Sequence, residues 1–248
     1  MRINSFVTPD ALNDDPVVLS PEESHHLARV LRAEPGQELT LFDGQGTRAE
    51  GVIETLSKKE VTVHITARKT VTPPPVEITL IQAVCKPDRF DMILQKATEL
   101  GVRAIQPVVT QNTSLPTGKI EKMIDRGEAI IRNASQQCGT AWLPQLLPLK
   151  PLAEVSFGSS VTLVGSLHPE AKPFKEAFRQ LRETGRMPAV RTPALRVTLL
   201  IGPEGDFTKE EVDAAVAAGA IPVTFGNQIL RTETAAIFGL SVLAYELF

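Results

Sequence analysis

The chain has 248 residues, 42% of them apolar and 22% charged, with a formal net charge of −3. This balance excludes a disordered chain and supplies no bulk positive field for nucleic acid, so any RNA contact would need a local basic patch. Two cysteines, Cys85 and Cys138, stand far apart in no metal-like spacing, which excludes a disulfide framework and points to a reducing cytoplasm.

The first residues, Met1-Arg2-Ile3-Asn4-Ser5-Phe6, lack the apolar core of a signal peptide. Ser20-Pro21-Glu22-Glu23 predicts a helix start, with Ser20 as cap, Pro21 at the first helical position and Glu23 closing a capping box. That short helix carries His25, His26, Leu27, Arg29, Val30, Leu31 and Arg32, and Pro35-Gly36 ends it. Adjacent histidines do not share a helix face, so they make a poor metal pair. Strands follow at Leu39–Phe42, Ala49–Thr55 and Val61–Ile65, with Asp43-Gly44 as a hairpin signal. Short strands at this spacing predict a small barrel. Thr70-Val71-Thr72-Pro73-Pro74-Pro75 is an extended linker, and the domain boundary falls there: 1–72 before it, 76–248 after it.

Beyond the linker the period changes. Strands are predicted at Val76–Val84, Ala104–Val109 and Val161–Val164, and helices at Asp88–Leu100, Lys119–Cys138 and Pro173–Glu183. A loop rich in Pro and Arg covers Gly185–Ala194. Strands alternating with helices imply a mostly parallel α/β sheet. The C-terminal run Ala235–Phe248 is apolar but too short to span a bilayer.

Two strand–Gly loop–helix units close the chain. In the first, Arg196–Ile201 is a buried strand stopped by Gly202-Pro203. Thr208 and Glu211 form a capping box there, and Phe207 and Val212 a hydrophobic staple. In the second, Pro222–Phe225 is a strand, Gly226-Asn227-Gln228 a turn, and Ile229-Leu230-Arg231-Thr232-Glu233-Thr234 leads into the last helix. Loops at the carboxyl ends of parallel strands are where ligands bind in open α/β sheets. Glu204 and Asp206 flank the glycines and would repel a phosphate, so the first loop suits a neutral or cationic ligand.

No nucleophile elbow, Walker loop, Gly-x-Gly-x-x-Gly or zinc spacing occurs, and no metal site is expected. Site chemistry must then come from backbone-lined loops together with Glu204, Arg231 and Glu233; Arg231 and Glu233 are close enough in sequence to pair with each other.

Ile201-Gly202-Pro203-Glu204-Gly205, followed by Gly226-x-x-Ile229-Leu230-Arg231-Thr232-Glu233-Thr234-Ala235, resembles the RsmE family of SPOUT-class methyltransferases. Further matches are His26–Arg32, Leu41-Phe42-Asp43-Gly44, Gln95–Val102, Gln137-Cys138-Gly139 and Leu167-His168-Pro169. The resemblance implies a small N-terminal PUA-like β-barrel followed by a C-terminal SPOUT α/β domain with a trefoil knot, in a homodimer. It also implies an S-adenosyl-L-methionine-dependent enzyme that methylates N3 of a uridine in 16S ribosomal RNA, within the small ribosomal subunit. The cofactor would lie against Leu167, against Leu200, Ile201, Gly202, Pro203, Glu204 and Gly205, and against Phe225, Gly226, Ile229, Leu230 and Arg231. Arg231 would give electrostatic help and Glu204 would shape the pocket. RNA-contact candidates are His26, Arg29, Arg32, Lys86 and Arg89.

The chain departs from the family pattern at Asp206, where a second Gly is usual, at Asn112, Thr140 and Gln228, where Arg is usual, and at Pro87, where Gly is usual. Lost arginines weaken a phosphate-binding surface. The departures leave room for a different RNA target, or for a catalytically silent RNA-binding ribosome assembly factor.

Overall fold

The computed structural model describes residues 3–57, 59–157, 161–187 and 195–248. The expected Pro/Arg-rich loop lies outside the described residues from 188 to 194. The chain divides into two compact units, Met1–Pro73 with Arg132–Leu143, and Pro74–Ile131 with Pro144–Phe248. The break after Pro73 falls inside the Pro-rich linker. The segment 132–143 is the difference from the expected boundaries, and its side chains explain why. Asn4 Nδ2 donates to the Gln136 carbonyl at 2.8 Å, Gln136 Nε2 donates to Glu23 Oε1 at 2.6 Å, and the Trp142 indole N–H donates to the Val71 carbonyl at 3.1 Å.

In the first unit five strands, β1 (Ile3–Phe6), β2 (Val17–Val18), β3 (Glu38–Phe42), β4 (Thr47–Leu56) and β5 (Val61–Thr70), form a sheet in the order β1-β3-β4-β5-β2. The β1–β3 pairing is parallel and the others are antiparallel. No ladder joins β1 to β2 among the described residues, so hydrogen bonding does not close the expected barrel. Leu27, Leu39, Leu41, Ile53, Val61 and Val63 fill its core. Helix α1 (Pro21–His25) starts as expected, with Ser20 Oγ accepting from Glu23 N at 3.2 Å. It widens into a π-turn over His26–Leu31 and ends at Arg32, whose φ of 51° is left-handed. The helix thus ends before the turn at Pro35-Gly36 is reached.

The second unit holds β6 (Val76–Ala83), β7 (Ala104–Val109), β8 (Gln145–Leu146), β9 (Lys150–Pro151), β10 (Val161–Gly165), β11 (Lys172–Pro173), β12 (Leu195–Ile201) and β13 (Ile221–Thr224). Their order is β11-β13-β10-β12-β6-β7-β8, with β9 also on β7, and every pairing is parallel. The helices after the linker are α2 (Pro87–Glu99), α3 (Thr117–Asp125), α4 (Gly127–Cys138), α5 (Phe174–Glu183), α6 (Lys209–Ala217) and α7 (Thr232–Leu247), with residues 132–138 of α4 counted in the first unit. Phe90, Ile93, Leu94 and Ala97 on α2 are fully buried, as their spacing predicts. The single helix expected over Lys119–Cys138 is instead two, broken at Arg126. A Cβ on Gly127 would lie 2.6 Å from Leu146 and 3.2 Å from Leu94. Close packing at a glycine bends the helix there, and Arg126 turns out to pair with Asp91 at 2.7 Å. No helix among the described residues is long and apolar enough to cross a membrane.

Candidate functional site

Three neighbouring parallel strands, β13, β10 and β12, end at the same edge of the sheet. Their following loops enclose a cavity of about 470 Å³, with Arg89 and Ala235 from α2 and α7 completing the wall. A volume of this size suits a small organic ligand. The first loop contributes Gly165–Leu167, the second Ile201–Asp206, and the third Val223–Gly226 and Gln228–Thr232. Every residue expected at the pocket is present except Leu200. Strand alternation explains the exception: Leu200 points into the core with Phe207 and Val212, while Ile201 reaches the cavity.

The second loop is held from several sides. Thr208 Oγ1 accepts from Glu211 N at 3.2 Å and Glu211 Oε2 accepts from Thr208 N at 2.9 Å, the predicted capping box. Glu211 Oε1 also takes the Gln111 amide at 2.8 Å. Asn112 Nδ2 donates to the Gly205 and Asp206 carbonyls, each at 3.0 Å. Asp206 has φ 58°, the left-handed region that explains a usual Gly here, and its Oδ1 accepts from Phe207 N at 2.8 Å. Burial raises the Asp206 carboxyl above its usual range, partly opposed by that amide. Thr232 fastens the start of α7 to the same loop: its hydroxyl donates to the Gly202 carbonyl at 2.6 Å and accepts from Gln82 Nε2 at 3.1 Å.

Glu204 Oε1 accepts the Lys86 amide at 3.1 Å and one Arg89 N–H at 3.4 Å. It therefore caps the N-terminus of α2 from a loop 118 residues away in sequence, a favourable place for an anion. The Arg89 guanidinium also lies 3.8 Å from Glu233. The alternative of an Arg231–Glu233 pair does not occur among the described residues, where Glu233 lies against Arg89. Arg231 makes no ion pair or side-chain hydrogen bond among the described residues, and it lines the cavity. Beside this cluster, burial and then the Glu204 and Glu233 charges push the Cys85 thiol far up, which leaves it an unreactive buried thiol.

Apolar surface comes from Leu167, Ile229, Leu230 and Phe225. Phe225 stacks edge-on against Phe174 at 5.4 Å between ring centres. Two glycines make room for it: added Cβ atoms at Gly165 and Gly239 would lie 2.7 and 3.3 Å from its ring. Behind Leu167, His168 N donates to Ser166 Oγ at 3.0 Å, and His168 Nε2 lies 3.2 Å from Asp213 Oδ1.

Of the RNA-contact candidates, His26 is half-buried, and Arg29 and Arg32 are exposed around the π-turn of the first unit. Lys86 is exposed at the start of α2. Arg89 instead forms part of the cavity wall, drawn inward by its two carboxylates. Sequence reasoning missed Asn112 and Thr232 as loop clamps. Their partners are 93 and 30 residues away, so no local pattern marks them.

Comparison with known proteins agrees with this geometry. Residues 72–244 match the RNA methyltransferase domain model, and residues 19–66 match the RNA methyltransferase PUA domain. The chain is 30% identical over 246 residues to ribosomal RNA small subunit methyltransferase E of Synechocystis, covering 97% of this chain and 77% of that protein. Its identity to the Mycobacterium bovis protein of the same name is 29%, covering 91% and 85%. Among solved structures, the Neisseria gonorrhoeae enzyme bound to S-adenosyl methionine superposes with a TM-score of 0.82 at 29% identity, covering 99% of this chain and 98% of that one. A Legionella pneumophila methyltransferase with bound SAM gives 0.79 at 32% identity, over the same shares. With a PUA-type first unit, a parallel α/β second unit and a three-loop cavity, the chain belongs to the RNA methyltransferase family that includes ribosomal RNA small subunit methyltransferase E.

Proposed function

We propose that this chain transfers a methyl group from S-adenosyl-L-methionine to N3 of a uridine in 16S ribosomal RNA. The observation that carries the reading is the cavity itself, a small-molecule site of about 470 Å³ walled by backbone and carboxylates rather than by a phosphate cradle. The cofactor fits that donor set: it has apolar and hydrogen-bonding parts and a sulfonium cation, and no phosphate. Leu167, Ile201, Phe225, Ile229 and Leu230 would cover its apolar surface, and the backbone of 202–205 and 226–230 would supply polar partners. When bound, the cofactor supplies an electrophilic methyl on a good leaving group.

The chain's own residues do the remaining work. Uridine N3–H is a weak acid, and its anion needs a nearby positive charge. Arg231, unpaired at the cavity wall, is placed to give that charge. Glu204 is engaged by Lys86 N and Arg89, so it acts by holding the loop against α2 rather than by taking the proton. Exposed Arg29 and Arg32 offer phosphate contacts on the first unit, and a uridine within folded RNA has to leave its stack to reach the site. Asp206 does not disable the loop, because Asp tolerates the left-handed backbone and restores a hydrogen bond there.

The same reading carries the trefoil knot, a homodimer and a cytoplasmic location. In favour of the knot, β12 lies between β6 and β10 while Thr232, at the start of α7, is hydrogen-bonded to Gly202 in the loop after β12. In favour of a dimer, α2 and α7 pack together and leave Met92, Phe238 and Tyr245 exposed at 46%, 42% and 86%.

The test is direct. Purified protein and labelled S-adenosylmethionine are mixed with small ribosomal subunits lacking N3-methyluridine, and the RNA is digested to nucleosides for mass spectrometry. N3-methyluridine is the expected product. A different methylated nucleoside would move the target, and tight cofactor binding without transfer would favour an assembly factor.

A further inference from the structure

Asp206 places a carboxylate where the backbone favours glycine, in the wall of the cavity. Several features accommodate it. A Cβ at Gly202 would lie only 3.1 Å from Asp206 Oδ1, so the neighbouring glycine leaves space for the carboxylate. Phe207 N donates to Oδ1 at 2.8 Å and fixes its direction. Asn112 holds the Gly205 and Asp206 carbonyls at 3.0 Å each, which keeps the residue from swinging away. Asp206 enters no ion pair among the described residues: of the two cations that line the cavity with it, Arg89 is taken by Glu204 and Glu233, and Arg231 pairs with no carboxylate. Burial raises its carboxyl above the usual range, as expected for a half-buried anion without a counter-ion.

We infer that Asp206 is a specificity-determining residue whose carboxylate reads the sulfonium charge of the methyl donor and thereby favours S-adenosylmethionine over S-adenosylhomocysteine. This rests on the cofactor reading given above. The two ligands share the adenosine and the amino acid and differ in one methyl and one positive charge. A carboxylate that faces the sulfonium therefore distinguishes them, whereas one that faces the amino group does not.

The experiment is calorimetric titration of the full chain, wild type, Asp206→Asn and Asp206→Gly, with each of the two ligands. Asn keeps the shape and the bond to Phe207 N, and Gly keeps the left-handed backbone, so one variant controls for the other; thermal unfolding verifies that both fold. The expected result is a loss of about tenfold in S-adenosylmethionine affinity in both variants, the size of one well-placed charge contact, with S-adenosylhomocysteine changed by less than about threefold. Equal losses for the two ligands, or no loss, would overturn the inference while leaving the cofactor reading intact. Failure of the wild type to bind either ligand would overturn both.

Discussion

The two main walls of the cavity are built in opposite ways. The loop after β12 is clamped by Asn112, Glu204, Thr232 and the Thr208–Glu211 box, and Ile201, Gly202 and Pro203 are buried. The loop after β13 has Gly226, Asn227, Gln228 and Ile229 exposed, with Ile229 at 80%, and no side-chain hydrogen bond holds them among the described residues. One wall is held by side chains and the other is exposed without them. Holding the first wall in place before a ligand arrives lowers the cost of ordering on binding.

The largest expected effect tests the charge at the end of the exposed wall. Arg231→Ala should lower single-turnover methyl transfer about a hundredfold, typical for loss of one electrostatic donor, with cofactor affinity shifted no more than about threefold. Equal turnover in the variant would remove Arg231 from the chemistry. Next is the pre-organised wall. Thr232→Val removes the hydroxyl between Gly202 and Gln82 but keeps the shape, leaving buried polar groups unpaired. Denaturant unfolding should show a loss of about 2 kcal/mol. No loss would mean the clamp contributes nothing to stability.

The exposed wall should behave differently. Ile229→Ala should weaken cofactor binding about fivefold, as for one lost apolar contact, and leave the melting temperature unchanged, since the side chain is exposed in the free protein. A drop in melting temperature would show that this wall is already packed. The smallest effect is a pH dependence. The folded-state carboxyl of Asp206 is raised, so its ionisation opposes folding: the stability it leaves is full below the ordinary Asp range and falls as pH rises through the folded value. Asp206→Asn lacks this ionisation. Its melting temperature relative to wild type should therefore be higher at pH 7 than at pH 3.5. The reverse order would mean that the Asp206 anion is stabilised in the fold.

Most of the fold could be read locally. Ser20 and Thr208 mark helix starts because a cap hydroxyl needs only an amide three residues on. The apolar faces of α2 and the parallel strands follow from periodicity, and the two Gly-rich loop ends after β12 and β13 follow from where strands stop; the Leu167 loop comes only from the family resemblance. The short strands β1, β2, β8, β9 and β11 were not legible, since two to four residues carry no period. The split of α3 from α4 was hidden for another reason: Gly127 is bent by packing against Leu146 and Leu94, and isolated helix propensity does not contain those partners.

By itself, then, the order of residues determined the two-part organisation, the parallel α/β character of the second part and two of the loops that meet at the pocket, those after β12 and β13. Tertiary structure alone decided that Leu200 turns into the core while Ile201 reaches the cavity, that Arg89 pairs with Glu204 and Glu233, and that Arg231 stays free. It also assigned residues 132–143 to the first unit. The physical reason is range. Caps, turns and periodicity act within a few residues, whereas the Lys86–Glu204 and Gln82–Thr232 contacts span 118 and 150 residues and exist only once the sheet has brought its strand ends together.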